Sequence, residues 1–196
     1  MKLGFIGNND LPGVDADARF AADHGFVGLE YNYWGNFKEL TEETVREMRA
    51  ILDKHGVGCS SLGIWNWNHL SPDPAVRAEA HEMFSRAIGF ASILGAEVFV
   101  TGGGDIPGAT LEAKVEEFAR VFPPFLDRIE SAGMVPAMYA VHSNSFFTNL
   151  EAYERVWERF PQVTVKYDPA NWNHHGEDYL AVAQRHGDKI GYVHIK

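Results

Sequence analysis

Val163-Thr164-Val165-Lys166-Tyr167-Asp168-Pro169-Ala170-Asn171 carries a strand straight into a polar, proline-containing turn. Residues 163–167 alternate as a strand does, and the run ends on a carboxylate followed by proline. Proline cannot donate to a ladder, so the strand stops here and leaves Asp168 at its carboxyl end. In parallel α/β folds that end is where chemistry sits.

The rest of the chain repeats the same unit. Strands are predicted over residues 3–6, 26–33, 57–64, 97–101, 134–142 and 190–195, in addition to 163–167. Helices are predicted over 15–24, 41–55, 74–94, 111–132, from 150 onward and over 177–186. The long third helix shows the 3.6-residue period most clearly, with Val76, Ala80, Met83, Phe84, Ala87, Ile88, Ala91 and Leu94 on one stripe. Asp73 and Pro74 suit its N-cap and first position. Pro123-Pro124 should break the helix over 111–132, and Thr148 with Glu151 reads as a capping box. Gly25, Gly56, Gly95, Gly133 and Gly187 each stand as left-handed helix stops just before a strand.

Strands alternating with helices call for a parallel sheet with helices outside. The first strand-to-helix turn, Gly4-Phe5-Ile6-Gly7-Asn8-Asn9, lacks the dinucleotide fingerprint, and Gly102-Gly103-Gly104 lacks the Lys-Ser/Thr of a P-loop. A (β/α) barrel is therefore favoured over an open doubly wound sheet. A full eight-unit barrel needs about 250 residues, so a single barrel domain over residues 1–196, interrupted after its seventh strand, is expected.

Composition narrows the class. A net charge of −10 argues against a broad phosphate-binding surface and so against a nucleic-acid partner. Cys59 is the only cysteine, so no internal disulfide can form and a reducing compartment is the simpler expectation. Neither a signal peptide nor a membrane span is legible, and a cytoplasmic location is expected.

Nine histidines are present, and position sorts them. His24, His55 and His186 precede helix-closing glycines, where a histidine interacts favourably with the helix dipole. His81 reads as a helix-surface residue. His69, His142, His174, His175 and His194 all fall at or just beyond predicted strand ends. Alternation in Tyr192-Val193-His194-Ile195 puts His194 opposite Val193 and Ile195, hence inward if those two face helices. Beside Asp168 on the neighbouring strand it makes a candidate metal pair. On the fifth strand the same arithmetic places Met138, Ala140 and His142 on one face, taken as inward, and makes His142 a candidate base. Glu30, a carboxylate in an otherwise apolar strand, either serves at the barrel mouth or pairs with a buried cation. Trp34, Trp65, Trp67 and Trp172 follow strands, where aromatic faces suit stacking on a sugar or ring.

Phe26-Val27-Gly28-Leu29-Glu30, Leu94-Gly95-Ala96-Glu97-Val98, the Asp168-Pro169-Ala170-Asn171 element and Tyr192-Val193-His194-Ile195-Lys196 together resemble the sugar phosphate isomerase/epimerase family. Its members are xylose isomerase-like TIM barrels related to the endonuclease IV type. The resemblance implies a divalent metal, Mn²⁺ first and Zn²⁺, Mg²⁺ or Co²⁺ as alternatives, held by Glu, Asp, His and Glu at four strand ends. It implies proton transfer beside a carbonyl, with the two glutamates as acid and base. Asp168 and His194 match the Asp and the His. Ala140 stands where the first glutamate is expected, and the second would lie on an eighth strand. His142 and Glu30 are therefore the candidate catalytic groups, and His69, Trp34, Asn171, His174 and Lys196 the candidate substrate contacts. The expected activity is a metal-dependent isomerase or epimerase of a sugar, keto-sugar or polyol, expected to be inactive in this chain because of Ala140 and the missing eighth strand. A lyase of the same fold and a non-catalytic sugar-binding relative are the alternatives. A homo-oligomer or partner subunit would complete the site under one reading.

Overall fold

The structure, a computed structural model, describes residues 2–140 and 144–195. Seven parallel strands, β1 (Gly4–Ile6), β2 (Gly28–Tyr33), β3 (Gly58–Ile64), β4 (Val98–Thr101), β5 (Val135–Tyr139), β6 (Thr164–Tyr167) and β7 (Ile190–Val193), pair in sequence order. Between them run α1 (Leu11–His24), α2 (Glu42–His55), α3 (Pro74–Leu94), α4 (Leu111–Val121), α5 (Pro123–Ser131), α6 (Leu150–Trp157), α7 (Pro169–His174) and α8 (Tyr179–His186). Every crossover returns the chain to a parallel neighbour, so all seven carboxyl ends share one rim.

The sheet is curled. Lys166 on β6 reaches Glu30 on β2 at 2.5 Å, although three strands lie between them in sheet order. At about 4.8 Å per strand, a flat sheet would hold those backbones roughly 19 Å apart. Two side chains of that length could not close the gap. Ser60 and Tyr192, on β3 and β7, also meet across the concave side, Oγ to Oη at 3.0 Å. The expected xylose isomerase-like barrel architecture is present as seven strands, and among the described residues β1 and β7 do not pair.

Two apolar layers follow from the curl. The outer one, between sheet and helices, holds Leu29, Tyr31, Leu62, Phe99, Met138, Val165 and the helix faces, with Phe84, Phe118 and Phe122 fully enclosed. Each such phenylalanine contributes about 1.5–3 kcal/mol by leaving water. The inner layer is small: Trp65, Val98, Val100, Ala137 and Tyr139, with Tyr192 against it. Met138 therefore faces the helices and Tyr139 the lumen, the reverse of the expectation for the fifth strand. Strands of a parallel sheet are buried on both faces, so alternation reveals two sides without saying which is which.

Local signals mostly behave as expected. Asp73 caps α3 through the Ala75 and Val76 amides, and Gly25, Gly56 and Gly95 close their helices in the left-handed conformation. Pro123-Pro124 divides the long helix at Phe122. Three details differ. α6 is capped by Asn149, whose side chain accepts from the Ala152 amide, rather than by Thr148. Gly187 is right-handed and opens a short 3-10 turn, Gly187–Lys189. The Asp-Pro-Ala-Asn element starts a short helix of its own, α7.

The loop after β4 is fixed by glycine. Gly104 has φ 88°, and its carbonyl accepts the Phe146 amide. A Cβ there would lie 2.8 Å from the Leu70 nitrogen. Gly104→Ala should therefore destabilise the chain by about 1–3 kcal/mol, through a strained φ together with a backbone clash. Urea denaturation would measure this as a lower midpoint at unchanged slope. Wild-type stability would show that the loop can relax.

Candidate active site

The site grows from two strands that each carry a charge where an apolar residue would be expected. On β2, Glu30 and Asn32 are two residues apart and share the lumen face, while Leu29 and Tyr31 pack outward. On β6, Lys166 points inward between Val165 and Tyr167, which join the outer core. Glu30 and Lys166 are almost completely buried. The Glu30 Oε1 accepts from Lys166 Nζ at 2.5 Å and from the Asn32 amide at 2.7 Å, and Asn32 in turn accepts the Trp65 indole N–H at 3.1 Å. The Lys166 ammonium also lies 4.7 Å from the centre of the Tyr139 ring and 5.6 Å from those of Trp65 and Tyr192. Burial by itself would raise the Glu30 carboxyl, but the Lys166 charge and hydrogen bond and the Asn32 amide together lower it, so Glu30 is anionic at neutral pH.

Asp168 lies two residues beyond Lys166, just past the carboxyl end of β6. Its Oδ1 caps α7 by accepting the Ala170 and Asn171 amides, and its Oδ2 accepts the Tyr139 hydroxyl at 2.5 Å. His194 Nδ1 lies 3.5 Å from that same Oδ2 and, among the described residues, is buried without a hydrogen-bond partner. The His194 amide donates to the Tyr167 carbonyl, which fixes the height of the ring beside Asp168. Burial, then the bond to Asp168, raise the Tyr139 phenol well above its usual value, so it serves as a donor. Among the described residues no three His, Cys, Asp or Glu side chains converge as a metal site.

Ile6, Glu30, Asn32, Trp34, Trp65, Tyr139, Lys166 and His194 line an open cavity of about 310 Å³. Of the residues singled out in the sequence, the structure brings Glu30, Trp34 and His194 to its wall, with Asp168 behind Tyr139. Asn171 is buried and donates its side-chain amide to the Ala140 carbonyl, so it braces the strand end. His174 is exposed on α7 and lies off the cavity wall. His142 and Lys196 lie outside the described residues. Ala140 is fully buried and carries no donor.

His69 corrects its expectation. It is a core residue of the outer layer, packed on Phe84 with ring centres 4.4 Å apart and facing Thr101 Oγ1 at 3.4 Å. Burial, with a smaller contribution from His81, pushes its pKa down to about 3. Trp67 and Trp172 likewise belong to the core, whereas Trp34 and Trp65 reach the cavity. His24, His55 and His186 are structural as expected, engaging the Phe20 carbonyl, Asp15 and Glu154.

Lys166, Tyr139 and Asn32 are the site residues that sequence reading left without a role. A lysine between two outward apolar residues was the available signal, because buried charges need partners. What could not be read was that its partner stands on β2.

The family model described as the xylose isomerase-like TIM barrel matches residues 18–196. The chain belongs to that family. No match is found among curated protein sequences. Among solved structures, this xylose isomerase-like chain superposes on L-ribulose 3-epimerase with a TM-score of 0.80 at 18% identity, covering 100% of this chain and 70% of that one. The 3-keto-D-glucoside 4-epimerase of E. coli gives 0.78 at 15%, covering 100% and 78%. D-psicose 3-epimerase, in a structure with D-fructose, gives 0.77 at 16%, covering 100% and 73%. At such identities the likeness establishes the fold, which it shares with sugar epimerases.

Two measurements follow from this geometry. Lys166→Met leaves the Glu30 carboxylate buried without its cation and should cost about 3–5 kcal/mol. A double-mutant cycle with Glu30→Gln should recover at least about 2 kcal/mol as coupling, and additive losses would mean the pair is not a unit. His69 titrates below its ordinary 6.5 in the folded state, so the unfolded chain binds the extra proton between pH 6.5 and about 3. Its stabilising contribution is complete above pH 6.5 and is lost as pH falls through that window. Replacing His69 with Phe should flatten this acid limb of the urea midpoint, and an unchanged limb would place the titration elsewhere.

Proposed function

We propose that this xylose isomerase-like chain is a metal-dependent isomerase or epimerase of a sugar, keto-sugar or polyol, acting by proton transfer beside a carbonyl. The observation that carries the reading is the convergence at one rim of an anionic carboxylate, Glu30, a buried ammonium, Lys166, and the Asp168–His194 pair, around a cavity walled by two tryptophans. The fold shared with three sugar epimerases points the same way.

The residues present fit two donors of a metal site. His194 Nδ1 is a buried nitrogen with no hydrogen-bond partner among the described residues and faces Asp168 Oδ2, and an imidazole with a carboxylate suits Mn²⁺ or Zn²⁺. Asp168 and His194 would be the residues that hold it, Asp168 while also capping α7 through Oδ1. A divalent cation held there would stabilise negative charge on a substrate oxygen.

The chain's own groups would do the rest. Trp34 and Trp65 offer faces to the C–H side of a sugar ring and narrow the entrance. Glu30 is the carboxylate on the cavity wall available to take a proton from carbon, and its low pKa keeps it unprotonated but weakly basic. The Lys166 ammonium, 4.7 Å from the Tyr139 ring centre, would favour an enediolate over the neutral ketose.

Exchange in D₂O tests this. With Mn²⁺, a ketohexose or ketopentose should gain deuterium at the carbon beside its carbonyl, detected by proton NMR, and a chelator should stop it. Asp168→Asn and His194→Gln should each weaken Mn²⁺ binding at least about tenfold by calorimetry. Elimination products in place of exchange would select the lyase. Sugar binding indifferent to chelator, with no exchange, would overturn the proposal in favour of a binding module.

A further inference from the structure

Resting on the isomerase reading, we infer that Asn32 is a positioning residue. Its side-chain amide fixes the Glu30 carboxylate and the Trp65 ring relative to each other, so that a sugar stacked on the ring presents a C–H to the carboxylate. Asn32 Nδ2 donates to Glu30 Oε1 at 2.7 Å, and Asn32 Oδ1 accepts the Trp65 Nε1–H at 3.1 Å. The two partners leave the amide one orientation. An ionised carboxylate only accepts and an indole only donates, so the nitrogen must face Glu30 and the oxygen Trp65. A short planar amide bound at both ends restrains the distance between the two groups, and all three side chains line the cavity.

The surrounding backbone supports the arrangement. In the β2–β3 pairing the register shifts between Leu29 and Glu30, after which Glu30 stands opposite Ser61 and Asn32 opposite Gly63. Irregularities of this kind re-aim side chains. Gly63 leaves room for both amide and indole: a Cβ there would lie 2.6 Å from Trp65 Cζ2 and 3.1 Å from Asn32 Oδ1. The Trp65 amide donates to the Tyr33 carbonyl at 2.9 Å, and Asn9 Nδ2 donates to the Asn32 carbonyl at 2.9 Å. Both main chains are thus tied down, and the two partners hold the side chain. Proton transfer from carbon needs a near-attack geometry, and a misplacement of about 1 Å can cost about a hundredfold. Stacking on Trp65 contributes affinity, whereas Glu30 acts at the reacting carbon, so cutting the two arms should leave different kinetic signatures.

Asn32→Asp and Asn32→Ala separate the arms. Aspartate keeps an acceptor for the Trp65 indole but withdraws the donor from Glu30, while alanine withdraws both. Deuterium exchange is followed with Mn²⁺ and whichever of D-fructose and D-ribulose the wild type exchanges faster. Asn32→Asp should lose at least about tenfold in kcat, with KM within about threefold of wild type. Asn32→Ala should lose as much in kcat and also raise KM by more than about threefold. With Zn²⁺ in place of Mn²⁺, NMR follows the Trp65 indole N–H resonance, assigned by its loss in Trp65→Phe. It should move upfield in Asn32→Ala and stay near its wild-type position in Asn32→Asp. Circular dichroism confirms that each variant is folded. A kcat within about twofold of wild type in Asn32→Asp overturns the inference and leaves the isomerase reading standing. An unmoved indole resonance in Asn32→Ala overturns it as well. If the wild type exchanges neither sugar, both readings fall.

Discussion

A lysine and a glutamate that meet inside a curled sheet set the terms for this molecule. Glu30 belongs to the second strand and Lys166 to the sixth, and their contact requires the intervening strands to bend round a common axis. The pair costs desolvation of two charges, which the 2.5 Å contact, the Asn32 amide and three aromatic faces offset. Its place in the lumen dictates what else can be there. Ala137, Val98 and Val100 fill the floor below, while Asn32, Trp65 and Tyr139 complete the polar tier above.

The same arrangement couples fold to site. Tyr139 touches the ammonium with its ring and Asp168 with its hydroxyl, so one side chain ties the ion pair to the rim carboxylate. Asp168 is at once the N-cap of α7 and the neighbour of His194, and a capping role holds its carboxylate in one orientation. Asn171, three residues on, fastens α7 to the end of β5 through the Ala140 carbonyl. A short sequence element thus performs structural and chemical work together, which is why strand, cap and candidate ligand fall within six residues.

Elsewhere the structure separates residues that look alike in sequence. His69 and His194 both lie at or just beyond predicted strand ends, yet one is sealed between Phe84 and Thr101 and the other faces the cavity. The difference is which side of the sheet each loop falls on. The four strand-following tryptophans divide the same way, Trp34 and Trp65 to the cavity and Trp67 and Trp172 to the core. Since a parallel sheet buries both faces, hydrophobic pattern carries no sign for inside and outside, which is why alternation alone assigns the faces of the fifth strand the wrong way round.

The alternation of strands and helices, the helix stops at Gly25, Gly56 and Gly95, the break at Pro123-Pro124 and the strand-end placement of Asp168 are all legible in the amino-acid sequence. These are local effects of φ restriction, capping and periodicity, which need only neighbouring residues. The Asp168–His194 proximity was also legible, because adjacent parallel strands place their carboxyl ends side by side. Only the tertiary structure decided that Glu30 has Lys166 for a partner, that Tyr139 faces inward and that His69 does not reach the cavity. Each of those depends on the curvature of the sheet and the side to which a loop folds. Both are set by packing between elements far apart in the chain, where sequence spacing carries no distance.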